Sequence, residues 1–251
     1  MIVPELIPAS VALVGSWVAV YTDLRWRIIP NKLNFSMIVF GVFFYLFLGL
    51  NKWNFITAIS GALGAVTCFA IGYLLWLSGG WAGGDVKLFT AFGALLFGFK
   101  MPVGNPIYPM PLTILFNSII AIAPVLMVYS LVRRAQGQSV LYDQVKITEL
   151  KEGMIPAETI YEKDGKIGRC GSWFSLKKGW DRIYTNPKRA SGLTRYQVRA
   201  LKKLVQARKI SNHIRIKRGL PFAPALGAGV FIAVFYGDVY WQLVHWLFGY
   251  I

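Results

Sequence analysis

"GGWAGGDVKLF", residues 79–89, sets four glycines, an aspartate and a lysine inside a chain that is otherwise heavily apolar. Ionisable residues at membrane depth are expensive and mark function by default. How this stretch is read therefore decides what kind of apolar protein this is. Working outward, the 251 residues are 55% hydrophobic with a mean hydropathy of +0.50, a balance too apolar for an ordinary soluble domain. A spanning helix needs about 20 mostly apolar residues. Six segments meet or approach that length: 3–22, 33–50, 55–77, 86–100, 111–132 and 222–249. The fourth is short, and the sixth carries Asp238 and allows a break near Gly237. The first has no basic n-region, begins with Pro4 and Glu5 and shows no cleavage site before Asp23, so it reads as a retained span and not as a secretion signal.

Charge is unevenly spread. Between Arg133 and Arg218 lie 21 of the 27 basic and 7 of the 11 acidic residues, a net +14. The expected architecture is an all-α membrane protein of about six transmembrane helices, with a small α+β cytoplasmic insertion between the fifth and sixth. Residues 1–132 hold the first five helices, 133–220 the basic insertion and 221–251 the last helix. Long loops translocate largely regardless of charge, so the short loops set orientation. The first carries Arg25, Arg27 and Lys32, the second only Lys52 and the fourth only Lys100. The first loop and the insertion are then cytoplasmic and both termini lie outside.

Inside the insertion, "YEKDGKIGRC" (161–170) places Asp164-Gly165 between β-compatible runs, a hairpin signal. "LTRYQVRALKKLVQARKI" (193–210) opens on Thr194 with Gln197 three residues later, a capping-box pattern. The helix that follows is basic and amphipathic. It suits either an anionic lipid surface or a small β layer beneath it. No nucleic-acid motif accompanies the positive charge, and no nucleic acid is expected as a partner. Cys68 and Cys170 form no CxxC pair, and His213 and His245 stand far apart. Two free thiols and no metal site are expected, and no cofactor is implied.

Outside the insertion the acids are Glu5, Asp23, Asp85 and Asp238. Asp23 ends the first span and Asp85 begins the fourth, so both fall at the cytoplasmic edge. Two carboxylates about 3 Å apart cannot both ionise and share one proton. One then serves as general base on a water and the other as general acid toward a peptide carbonyl. The glycines beside Asp85 would allow a bent backbone and close approach of a substrate strand, tolerable at this depth only where protein or water covers it. The alternatives are an interfacial salt bridge of Asp23 with Arg25 or Arg27, and a proton relay in a transporter.

The residues resemble a family. "DLRWRIIPN" (Asp23 to Asn31) followed by "GGDVKLF" (Gly83 to Phe89) looks like the paired signatures of the type IV prepilin peptidases, which are GxGD-type aspartic membrane proteases. Ala82 stands where the family's first glycine would be. "GLPFAPALGAG" (219–229) resembles the approach to the last span in this superfamily, and Pro224-Ala225-Leu226 looks like the PAL motif of presenilin-type proteases. "LKEGMIPAE" (150–158) is similar to the archaeal branch of preflagellin and prepilin peptidases. The resemblance implies Asp23 and Asp85 as the catalytic pair, with Gly83, Gly84 and Lys87 supporting the catalytic loop. Arg25, Arg27, Pro30, Asn31, Pro224, Ala225 and Leu226 would support substrate or fold. The implied substrate is the short basic leader of a preflagellin or prepilin, cut at the cytoplasmic membrane face before its hydrophobic helix. The Cys-rich domain of the methylating bacterial enzymes is lacking, so methylation is not implied. A basic leader gains nothing from a +14 insertion, whose expected partner is anionic lipid.

Three other readings stand beside this one. A presenilin-type intramembrane protease would cut within a substrate helix, and the Arg/Pro/Asn stretch after Asp23 argues for the leader peptidase instead. A proton-coupled transporter would use Asp23 and Asp85 as a relay, but no internal repeat of the transporter kind is visible. A membrane scaffold would leave the glycine stretch without a role.

Overall fold

The computed structural model describes residues 4–78, 80–103, 106–140, 142–171, 179–187, 192–217 and 222–249. Gly79, and Arg218 to Pro221 with the start of the "GLPF" stretch, lie outside the described residues. The chain divides into two compact units, one of Met1–Val128 with Pro221–Ile251, the other of Tyr129–Leu220.

The first unit is helical: α1 (Leu6–Trp26), α2 (Asn31–Asn51), α3 (Phe55–Leu77), α4 (Gly83–Leu96), the larger part of α5 (Met110–Ala135), α7 (Ala223–Phe235) and α8 (Val239–Phe248). Four of these, α1, α2, α3 and α5, are long and apolar enough to cross a membrane, and this is a membrane protein. The expected fourth and sixth spans are where the structure differs from the sequence pattern. α4 has 14 residues, about 21 Å at 1.5 Å per residue, and is shorter than a bilayer core. From Leu88 onward it is almost wholly apolar and buried, the mark of a helix surrounded by others. Leu88, Phe89, Phe92, Leu95 and Leu96 are fully buried, because α1, α2, α3 and α7 all pack on it. The last apolar segment is two helices, α7 and α8, broken at Gly237, whose φ of +118° suits glycine.

In a bilayer, apolar area is no incentive for helices to associate, and close packing through small residues takes over. A Cβ added at Gly64 of α3 would run into the Gly93 carbonyl of α4, and one at Gly93 into the Gly64 carbonyl. The two backbones therefore touch, and α4 is fixed against α3.

Asp238 is fully buried and structural. It caps α8, accepting the Trp241 N–H (2.7 Å) and the Thr113 hydroxyl (2.6 Å). Asn117 donates to the Gly237 carbonyl at 2.8 Å. Asp238→Ala removes a cap worth about 1 kcal/mol and leaves the Thr113 hydroxyl without its acceptor. Asn keeps both functions. Thermal unfolding in detergent should fall by several degrees for Asp238→Ala and little for Asp238→Asn, with cleavage retained in both. Loss of cleavage in a folded Asp238→Asn protein would contradict this structural assignment.

The second unit is a small α+β body. β1 (Tyr142–Val145) pairs antiparallel with β5 (Ile214–Lys217), and β2 (Glu158–Lys163) lies between β3 (Lys166–Gly171) and β4 (Arg182–Ile183). The β2–β3 hairpin turns at Asp164 and Gly165, with φ of 51° and 72°. Two positive φ values in a two-residue loop match strand twist, as the Asp-Gly pair predicts. α6 (Arg195–Gln206) opens on Thr194, whose hydroxyl accepts the Gln197 N–H while the Gln197 side chain accepts the Thr194 N–H. Its Val198 and Leu201 enter a core with Ile147, Ile160 and Ile214, so the apolar face of this helix covers the β layer.

Candidate active site

Asp23 lies one turn before the C-terminus of α1. The chain then reverses. Arg27 takes a left-handed conformation (φ 56°) and closes the helix by donating its N–H to the Asp23 carbonyl at 2.9 Å. Pro30, extended at φ −61° and ψ 128°, precedes α2, as the restriction on proline allows. Although it ends a helix beside two arginines, the Asp23 side chain is buried at 8% exposure. No ion pair within 4.0 Å joins it to Arg25 or Arg27 among the described residues, and both arginines are exposed. Its Oδ2 instead accepts the N–H of Ala223, 3.4 Å away. Ala223 is the first residue of α7, where N–H groups have no partner within the helix and attract negative charge.

Asp85 is held in a parallel way. It sits in the first turn of α4 at 6% exposure, and its Oδ2 accepts the Ala82 N–H at 3.1 Å. This is the reach-back half of a capping box, and Ala82 has no side chain to supply the other half. The two carboxylates are within electrostatic reach of one another. Each is held through Oδ2 by one backbone N–H at a helix N-terminus. Neither Oδ1 accepts a hydrogen bond among the described residues.

The remaining signature residues lock this geometry. Lys87 donates to Asn31 Oδ1 at 2.8 Å and stands 5.7 Å from the Phe35 ring centroid. A Cβ at Gly84 would sit 3.4 Å from Ile29. The start of α4 is thus fitted against the link between α1 and α2, and the two motifs meet in space. Gly83 and Gly84 correct one expectation: they are the first residues of α4, not a bent or unwound segment. Gly84 packs against Ile29 at ordinary contact distance, and Gly83 faces open space. Ala225 and Leu226 are buried within α7's first turn, and Pro224 is half-buried. Arg25 and Arg27 are exposed, and neither forms an ion pair within 4.0 Å among the described residues.

The sequence pattern of the type IV leader peptidase family matches residues 10–126, a stretch containing Asp23 and Asp85. The preflagellin peptidase of Methanococcus voltae is 31% identical over an alignment covering 65% of this chain and 71% of that protein. The chain belongs to the type IV leader peptidase family. The prepilin peptidase EppA of Methanothermobacter thermautotrophicus is 25% identical across 95% of this chain and 96% of its own length. A preflagellin peptidase of Methanococcus maripaludis is 33% identical over 39% of this chain and 42% of its own. An archaeal peptidase A24 C-terminal domain pattern matches residues 115–177, where "LKEGMIPAE" falls.

In this leader peptidase three further residues meet the candidate site, none of which its side-chain pattern marks for that role. Ala223 and Ala82 act through backbone N–H groups, which side-chain identity does not reveal. Trp81, inside the opening stretch, is buried edge-on against Phe89, with ring centroids 5.4 Å apart, and tilted on Phe222 at 5.1 Å. It forms an aromatic wall between the starts of α4 and α7. Its size and position beside the glycines were the available signal.

Proposed function

We propose that this peptidase removes the short basic leader from preflagellins or type IV prepilin-like proteins at the cytoplasmic membrane face, with Asp23 and Asp85 as its catalytic pair. The observation that carries the reading is the pair of buried aspartates on α1 and α4, each anchored by one backbone N–H and each with its other oxygen accepting no hydrogen bond among the described residues. In the working state one carboxyl is protonated and the other ionised. The ionised one takes a proton from a water, and the water oxygen bonds to the scissile carbonyl carbon. The protonated one gives its proton to the carbonyl oxygen. Collapse of the tetrahedral intermediate breaks the C–N bond, and a proton passes to the leaving nitrogen. The short-loop cations Arg25, Arg27 and Lys32 support a cytoplasmic position for the pair. The Arg/Pro/Asn stretch after Asp23 favours leader removal over cutting within a substrate helix. On this reading residues 133–220 form a cytoplasmic domain, set between the four long apolar helices and the α7–α8 pair. Purified protein incubated with a preflagellin or prepilin should produce a leader-sized mass loss.

The basic unit's partner is anionic lipid. Arg182, Arg199 and Lys203 line a hollow of about 450 Å³ with Tyr184 and Tyr196, and Arg182 donates to the Tyr196 hydroxyl at 2.6 Å. Each cation near an anionic surface contributes about 1 kcal/mol. Arg199→Glu with Lys203→Glu should lower the anionic phospholipid retained by the full-length protein in native mass spectrometry, while cleavage in detergent continues. Equal retention of neutral and anionic lipid in the unmodified protein would exclude this partner.

A further inference from the structure

A cavity of about 350 Å³ lies between α1 and α7, lined by Ser16, Val20, Pro224, Gly227, Ala228 and Ile232 among others. Its position is what matters. Val20 is three residues before Asp23 on the same helix, so one turn separates the groove from that carboxylate. Pro224 follows Ala223, whose N–H holds Asp23. The groove therefore begins at the candidate cut site and runs away from it along the two helices that position Asp23. Ser16, Gly227 and Ala228 in its lining are small, which lets another chain approach the helices closely, and a Cβ at Gly227 would meet Val20. An apolar cavity of about 150 Å³ accepts a benzene-sized group, so this one has room for about two large apolar side chains.

We propose that the α1–α7 groove is the docking site for the apolar segment of the substrate immediately beyond the scissile bond. This rests on the leader-peptidase reading above. A chain whose scissile bond lies at Asp23 must continue somewhere, and this groove opens at that residue. Binding energy from a part of the substrate that does not react then orients the bond at the carboxylates. The groove reads the apolar character of the segment and leaves the basic leader to other contacts.

The test compares two substrates: a full precursor, and a truncated peptide that ends a few residues past the cut. Ala228→Phe fills the groove, and Val66→Phe, at a well-exposed position of α3, is the control. Unmodified protein should cut the truncated peptide with a KM about tenfold above that of the precursor. Ala228→Phe should raise the precursor's KM to that of the truncated peptide, leaving kcat and cleavage of the truncated peptide unchanged. Val66→Phe should leave all these values unchanged. An unaltered precursor KM in Ala228→Phe overturns the proposal and leaves the groove to lipid acyl chains. Equal loss on both substrates also overturns it, since the substitution would then be acting on Asp23. Cleavage of neither substrate by unmodified protein would instead bring down the leader-peptidase reading itself.

Discussion

Asp23→Asn and Asp85→Asn should each reduce leader cleavage to background, with the protein still inserted in membranes and folded. Asparagine is a fair probe because its carbonyl oxygen still accepts the Ala223 or Ala82 N–H, so the helix starts stay anchored. What it removes is the ability to hold and pass a proton. General acid–base catalysis contributes about 10²–10⁴-fold. Residues acting as a unit are non-additive, so the double substitution should be no worse than either single one. The measurement is mass loss from the precursor, alongside thermal unfolding in detergent. A well-folded single variant that keeps more than about a tenth of the activity would end the two-carboxylate mechanism, since losing one partner of a coupled pair is not a partial loss.

Gly84→Val should reduce cleavage by about 100-fold, the scale of a 1 Å misplacement at a catalytic group, while Gly84→Ala should lose far less. The distinction comes from Ile29. A Cβ at Gly84 meets Ile29 at 3.4 Å, an ordinary van der Waals contact, so alanine fits. The two γ-methyls of valine do not, and they push α4 away from the link between α1 and α2. That seam also carries the Lys87–Asn31 hydrogen bond, and it sets the spacing of Asp85 from Asp23. Ala82→Gly should be tolerated, because the N–H that holds Asp85 belongs to the backbone. The check is kcat/KM for the three variants on one precursor. Equal activities of Gly84→Ala and Gly84→Val would show that close packing against Ile29 does not position the acid.

Much of the site was legible because its chemistry is written in side chains. Asp23 and Asp85 stand out as rare acids at the ends of apolar runs, and the Arg/Pro/Asn and Gly/Asp/Lys patterns mark their surroundings. The second unit was legible for a related reason. Asp164-Gly165 and the Thr194/Gln197 pair are local signals, complete within a few residues, and the hairpin and cap follow from them directly. α4 was harder. From sequence it is one more apolar run, and only packing against four neighbours makes it a short buried core helix.

The sequence by itself determined the membrane class, the basic unit, the two local motifs of that unit and the placing of two acids at the ends of apolar runs. These depend on composition, period and residues close together in the chain. Only the tertiary structure decided that Asp23, alongside two arginines, turns from them to the Ala223 N–H some 200 residues away. It also decided that Gly84 lies in regular helix packed against Ile29, with room for a Cβ and no unusual backbone, and that Asp238 serves a helix cap. Each is a contact between distant segments, often with a backbone group as donor. Backbone groups are the same at every position, so no residue pattern announces which one a side chain will meet.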